Sequence, residues 1–197
     1  MKRRLLPLTL VLVLVLSALT AYGQTCGIHC GTERWKIKSL TDSWVEYIDE
    51  TEVSKTINWL RTRTPPASLP NSHRLIGIET MKFRVKGVVL SFKREDDKDF
   101  HVVIAQSNNH NRTMIIEFKN PECTEVCESE FMDQIVQARS DFIAKFGMPT
   151  TSFTELDDPV LVEVVGIGFF DRMHGQRGRA LPSGIEIHPV LSFRVLE

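Results

Sequence analysis

The sequence predicts a mainly β fold with a minor helical part (α+β), and three observations carry that prediction. Five runs of alternating apolar and polar residues follow one another from Gly77 to the C-terminus, as half-buried strands do. One run with helical periodicity lies between the third and the fourth. The first run changes phase at a glycine, the mark of a long, bent strand.

The chain opens with MKRRLLPLTLVLVLVLSALTAYG. Lys2, Arg3 and Arg4 form a basic start, Leu5 to Leu19 is almost wholly apolar, and Ala21 and Gly23 have the spacing signal peptidase requires. Residues 1–23 are therefore expected to be a secretory signal peptide, too short for a stable spanning helix. An uncleaved anchor is the plainer alternative. Cys26 does not directly follow the small residues of the cleavage region, which argues against a lipoprotein.

The whole chain has 24 Lys+Arg against 25 Asp+Glu; without the three basic residues of the signal, 21 stand against 25, a net charge of −4. That is far from the basic footprint of a nucleic-acid binder. About 174 residues remain, enough for one domain with a real core. No second apolar run reaches membrane-spanning length, so no span is expected after cleavage.

Cys26, Cys30, Cys123 and Cys127 all lie beyond the signal. An even number in an oxidising compartment predicts two disulfides, with three connectivities open. Crosslinks between the two pairs are preferred, because they staple the N-terminal arm to the region before the main helix. A metal at CGIHC, with His29 between the thiols, is the alternative, although zinc sites mostly use other spacings.

Residues 24–76 read as a mixed, polar arm. In VSKTINWLRTR, Val53, Ile57 and Leu60 have helical spacing, and TPPASLP then breaks the helix. Residues 77–197 form the domain. In MKFRVKGVVLSFK, Met81, Phe83 and Val85 share one face; after Gly87 the apolar set becomes Val88, Leu90 and Phe92. DFHVVIAQ is the second strand, SNNHN a turn, and RTMIIEFK the third strand. A helix is expected from about Ser129, which can cap it, to Phe146, with Phe131, Ile135, Ala138 and Phe142 on its apolar face and Gly147 and Pro149 ending it. PVLVEVVGIGFFD and GIEIHPVLSFRVL are the last two strands. Three strands, a helix and two strands is the order of the OB-fold, a five-stranded barrel. Its ligands usually lie on strands two and three, between the loops joining strands one to two and four to five. A generic α+β sandwich is the rival.

In that fold KREDDKDFHVVIA places Glu95, Asp96, Asp97 and Asp99 on one lip of a cleft, in loop 93–99. The other lip, loop 171–184, reads DRMHGQRGRALPSG and carries Arg172, His174, Gln176, Arg177 and Arg179. Two lips of opposite character are expected to face each other. Strand parity adds Asp99, His101, Glu117, Glu186 and His188 as one polar surface, and leaves Ile185, Ile187, Leu191 and Phe193 together on the opposite face of the last strand.

The binding candidates are thus Asp97, Asp99, Arg172, His174, Gln176 and Arg177. Carboxylates with imidazoles suit zinc or manganese, so Asp99, His101, His174 and His188 are the metal candidates and Glu95 or Glu186 the candidate catalytic base. Each has a plainer reading. Acid-rich hairpins are usually solvated turns. His188 before Pro189 can be structural, and the glycines of HGQRG can serve the turn alone. No spacing matches an established metal motif.

Other motifs fail. GIGFFD leads into a loop where a phosphate loop needs a helix, and no G-x-S-x-G elbow occurs. Both cysteine pairs are C-x-x-x-C, so neither is a thioredoxin-type motif. Asn111-Arg112-Thr113 is a glycosylation sequon, relevant only in a host that glycosylates. Phe92, Phe100, Phe118, Phe169 and Phe170 could stack bases, but parity buries most of them, and nucleic acid is not an expected partner.

At VGIGFFDRMHGQRGRALPSGIEIHPVL and KREDDKDFHVVI, with TMIIEF between, the chain resembles a family of small exported bacterial proteins of unknown function. The resemblance runs from about Glu33 to the C-terminus. It implies one domain and a periplasmic or secreted location, and brings no activity. Where the family often has asparagine before the glycine of the last strand, this chain has Ser183. Three functions follow as expectations. The first is an exported domain binding a small ligand or an envelope protein at the cleft. The second is a metal-dependent hydrolase acting on phosphodiesters, and the third a structural envelope protein without a site.

Overall fold

The computed structural model describes residues 26–173 and 175–197. The expected signal peptide and the candidate His174 lie outside the described residues. Among the described residues there are six strands: β1 (Asp49–Ser54), β2 (Met81–Arg94), β3 (Phe100–Gln106), β4 (Asn109–Phe118), β5 (Thr154–Phe170) and β6 (Ile185–Val195). They form one sheet in the order β1-β2-β3-β4-β6-β5, and a further β2–β5 pairing closes five of them into a ring. The ring is antiparallel except where β4 meets β6, with only Ile115 and Ile116 in register with Glu186 and Ile187. Among the described residues no helix is long and apolar enough to cross a membrane.

The five ring strands are those the alternation predicts. β1 is not among them. It pairs parallel with β2 at the edge of the sheet, and its sequence DETEVS is almost wholly exposed. An edge strand of acids buries too little apolar surface to leave a period-two signal. Val53 belongs to this strand, and the expected arm helix is shorter than its apolar spacing suggested. The helix runs Ile57–Arg61, capped by the Thr56 hydroxyl, which accepts the Trp59 N–H at 3.1 Å.

Gly87 is not the slip point of β2. Phe83, Val85 and Val89 all enter the core, so the phase holds through Gly87. The register breaks between Val89 and Ser91, against both β3 and β5, and Phe92 resumes the inward face after it. The glycine serves a close approach instead. A Cβ there would stand 2.7 Å from Ile57 Cδ1 and 2.8 Å from the Ala105 carbonyl oxygen. The last strand departs from strict parity too. Val190 enters the main core while Leu191 joins a satellite cluster with Trp35, Leu40 and Ile167, because the β5–β6 register shifts around Gly166, opposite Val190.

The main core fills the ring and is closed by the long helix Met132–Phe146. Phe142 from that helix sits 4.9 Å from Phe118, 5.3 Å from Phe92 and 5.6 Å from Phe193, centroid to centroid. The helix starts three residues later than expected. Ser129 closes the turn before it, accepting the Phe131 N–H at 3.3 Å and donating to the Leu40 carbonyl.

The arm is bound by three kinds of link. Disulfides join Cys26 to Cys127 and Cys30 to Cys123, the preferred connectivity, and fit an oxidising compartment. CGIHC therefore has no thiolate to give a metal; His29 instead lies 3.0 Å from Glu125. A buried ion pair joins Arg34 of the arm to Glu79, and a second, Arg74 with Asp42, braces the arm itself. The satellite cluster, finally, packs Trp35 and Leu40 against Cys123, Val126 and Ile135.

Candidate functional site

The β2–β3 connection is a tight hairpin closed by its own backbone. Glu95 N–H donates to the Asp99 carbonyl at 2.9 Å, Lys98 N–H to that of Glu95 at 3.0 Å, and Asp97 Oδ1 accepts the Asp99 N–H at 3.1 Å. The geometry leaves Glu95, Asp96 and Asp97 on a cleft wall and turns Asp99 inward. Burial pushes the Asp97 carboxyl up, against the pull of Lys119.

Asp99 is fully buried. Its Oδ1 accepts the Asn120 N–H at 2.7 Å, and its Oδ2 carries the Lys119 ammonium. Lys119 is itself buried, with Nζ 3.2 Å from the centroid of the Trp35 ring. Burial raises the Asp99 carboxyl to about 6, with Asp97 and Glu117 adding to the push against Lys119.

His101 and Glu117 face each other across β3 and β4. His101 donates Nε2–H to the Arg177 carbonyl at 2.9 Å, and its Nδ1 lies 3.4 Å from Glu95 and 3.6 Å from Glu117. Burial works against the imidazolium, but Glu117, the carbonyl and Glu95 outweigh it, so its pKa rises. Burial likewise opposes charge on Glu117, yet the imidazoles of His188 and His101 and the Lys38 ammonium hold it well below the usual carboxylate range.

His188 and Glu186 lie beneath them. His188 is 1% exposed, and neither ring nitrogen makes a hydrogen bond. Glu117 Oε2 stands 3.1 Å from Nδ1 but out of line for one, and Asp99 Oδ2, 4.0 Å from Nε2, is too far. Burial drives the His188 pKa well down, past the pull of Glu117. Glu186, 3.8 Å from His188 Nδ1, is pushed well above the ordinary carboxyl value by burial, then by Glu117 and Asp171, and its Oε2 is also without a partner. Ligand atoms of Asp99, Glu117 and His188 all lie within 4.8 Å of one another.

Above this floor opens a cavity of about 760 Å³, with loops 93–99 and 171–184 as two of its walls. The third wall is the arm, through Gly31, Thr32, Glu33, Trp35 and Lys38. Lys38 Nζ lies 3.6 Å from Asp171 and 5.3 Å from the Phe169 ring centroid. Burial opposes its charge, but Glu117, Asp171, Glu186 and Asp99 outweigh it and raise its pKa.

The two lips do not pair their charges. Lys93 meets Glu95 at 2.9 Å within its own lip, while Arg177 meets Glu155 at 2.5 Å and lies over Phe153. Arg172 pairs with Glu33 at 2.6 Å and is outside the cavity lining. Gln176 does line it, donating to Asp171. Loop 171–184 gets its height from Gly178, at φ 84°, where a Cβ would meet Val103 Cγ2 at 2.5 Å; the loop thus lies directly on β3.

Of the predicted metal set, the structure brings Asp99 and His188 together with Glu117, whereas His101 turns to the Arg177 carbonyl. Lys38, Lys119 and Trp35 were missed. Strand parity could not place Lys38 and Trp35, which come from the arm, and Lys119 follows the last residue of β4. No protein-family model, curated protein or solved structure matches the chain.

Proposed function

We propose that the protein is an exported, disulfide-stapled OB-like domain that binds a small, polar, positively charged ligand in the cleft between loops 93–99 and 171–184. The observation that carries this reading is the charge of the wall. Glu33, Glu95, Asp96, Asp97, Glu117 and Asp171 line the cavity against Lys38, Lys93 and Arg177. Lys93 and Arg177 are already engaged by Glu95 and Glu155. A recess walled by excess carboxylate in a low-dielectric surround concentrates cations and donors.

The OB-like reading is supported by the five-strand ring, by the helix between its third and fourth strands, and by the cleft between the corresponding loops. Export is supported by the two disulfides. The test is calorimetric titration of residues 24–197 with agmatine, spermidine and glucosamine, and with citrate and nucleoside monophosphates as anionic controls. Binding of an amine, weakened at least fivefold by Glu95→Gln with Asp97→Asn, is the expected result. Binding of the anions alone overturns the reading.

A second reading, a metal-dependent hydrolase, draws on the proximity of Asp99, Glu117 and His188. Phosphodiesters would be the substrate class and Glu95 the base, since Glu95 is at the lip while Glu186 is buried. Hydrolysis of bis(p-nitrophenyl) phosphate that requires added zinc or manganese tests it.

A further inference from the structure

We propose that the floor of the cleft is a site for one divalent cation of the zinc class, held by Asp99, Glu117 and His188, and that Lys119 occupies the cation's place until the ion displaces it. The proposal deepens the reading of the cleft as a cation-binding site.

The strongest observation is the imidazole of His188. A buried ring with two nitrogens and no hydrogen-bond partner is exceptional, since nearly all buried polar groups are satisfied. A neutral imidazole with a free lone pair, beside carboxylate oxygens, is a ready zinc ligand. The three donor atoms already lie within 4.8 Å of one another. Zinc bonds of about 2.0–2.2 Å ask for a modest inward closure of such a set. With the ion on Nε2, the side that faces Asp99, a carboxyl outside the ligand set stands beside the other nitrogen, Glu186 Oε2 at 3.8 Å from Nδ1. Such an outer partner is what orients metal-bound histidines.

Lys119 explains how a carboxylate is kept buried there without the ion. Its ammonium lies on Asp99 Oδ2, the oxygen that faces His188, and its other side rests on Trp35. An ion entering the triad takes over the charge balance of Asp99 and moves Lys119 off the indole. Binding is therefore an exchange of one cation for another, and the lysine is its competitor.

The test is calorimetric titration of the mature protein with zinc chloride alone, and with manganese chloride, in a non-chelating buffer, with Trp emission followed in parallel. Expected is one zinc per chain, at least tenfold weaker in His188→Ala and in Glu117→Gln, and at least tenfold tighter in Lys119→Met. If Lys119→Met does not fold, the wild-type emission change on adding zinc, absent in Trp35→Phe, reads the displacement directly. No binding of either ion, or binding unaltered by His188→Ala and Glu117→Gln, overturns the proposal. Because the ion alone is the probe, its failure leaves the amine titration to decide the reading of the cleft.

Discussion

Lys119 and Asp99 form an ion pair whose side chains are 0% and 1% exposed. Two charges removed from water are tolerated only as a pair, and the backbone N–H of Asn120 completes the carboxylate's shell. Lys119→Met should lower stability to urea by about 3–5 kcal/mol, because Asp99 is left buried and uncompensated. Asp99→Asn combined with Lys119→Met should restore most of that loss. Equal losses in the single and the double variants would show that Lys119 acts through its packing on Trp35 and not through its charge.

Glu125 gives a pH dependence with a definite sign. It accepts from Trp35 Nε1 at 2.9 Å and lies 3.0 Å from His29. Burial pushes its pKa up, but its own backbone N–H, Trp35 and His29 outweigh that and bring it below the ordinary 4.5. A carboxyl depressed in the folded state contributes stability that is present above its unfolded value and lost as pH falls through the folded one. Stability to urea should thus decline below about pH 4.5, with Trp35 emission following. Glu125→Gln should remove that part of the slope. An unchanged slope would place the acid sensitivity elsewhere.

The ring was legible because each of its strands buries one face against the same core, which forces alternation. Its irregularities were not. A glycine in a strand signals either a bulge or a close approach, and sequence alone does not separate the two; Gly87 proved to be the second, while the register breaks beside Leu90, a residue with no such mark. The polar floor was legible for the same reason as the core: Glu117 on β4 and Glu186 and His188 on β6 hold alternate positions, and Asp99 stands one residue before β3, in phase with His101. What covers them was not, since Lys38 and Trp35 reach the site through disulfides spanning 101 and 93 residues, and no local pattern encodes so distant a contact.

Those spans bear on stability. Closing a loop of about 100 residues restricts the unfolded chain by about 4–5 kcal/mol in the chain-entropy account. Because the two crosslinks enclose nearly the same loop, Cys30→Ser with Cys123→Ser should cost little while Cys26–Cys127 remains, and loss of both should lower stability by about 4–5 kcal/mol. Denaturation of the two single-disulfide forms and the fully reduced protein measures both. Equal, additive losses would point to native-state packing around Cys123 instead.

Gly87 should be intolerant even of alanine. An added methyl meets Ile57 Cδ1 and the Ala105 carbonyl oxygen, and only the first can give way. Overpacking of this kind costs about 1–3 kcal/mol. Gly87→Ala should fall in that range, and Ile57→Val, which deletes the obstructing Cδ1, should recover part of it. A double variant no better than the sum of the singles would locate the clash in the β3 backbone.

Arg34 and Glu79 should answer differently from Lys119 and Asp99. Arg34 donates to both Glu79 oxygens at 2.8 Å, but also to the Phe170 carbonyl at 2.6 Å and the Pro70 carbonyl at 2.8 Å. Glu79 in turn accepts the backbone N–H groups of Leu75 and Phe170. Removing the pair therefore orphans two carbonyls and two amides as well as cancelling two charges. Each buried polar group left without a partner costs about 1–3 kcal/mol. Glu79→Leu with Arg34→Leu should consequently remain destabilised by several kcal/mol, whereas the Asp99→Asn, Lys119→Met double variant recovers. Full recovery at Arg34 and Glu79 would mean that the arm is held by its disulfides and the satellite cluster, with the arginine network contributing little.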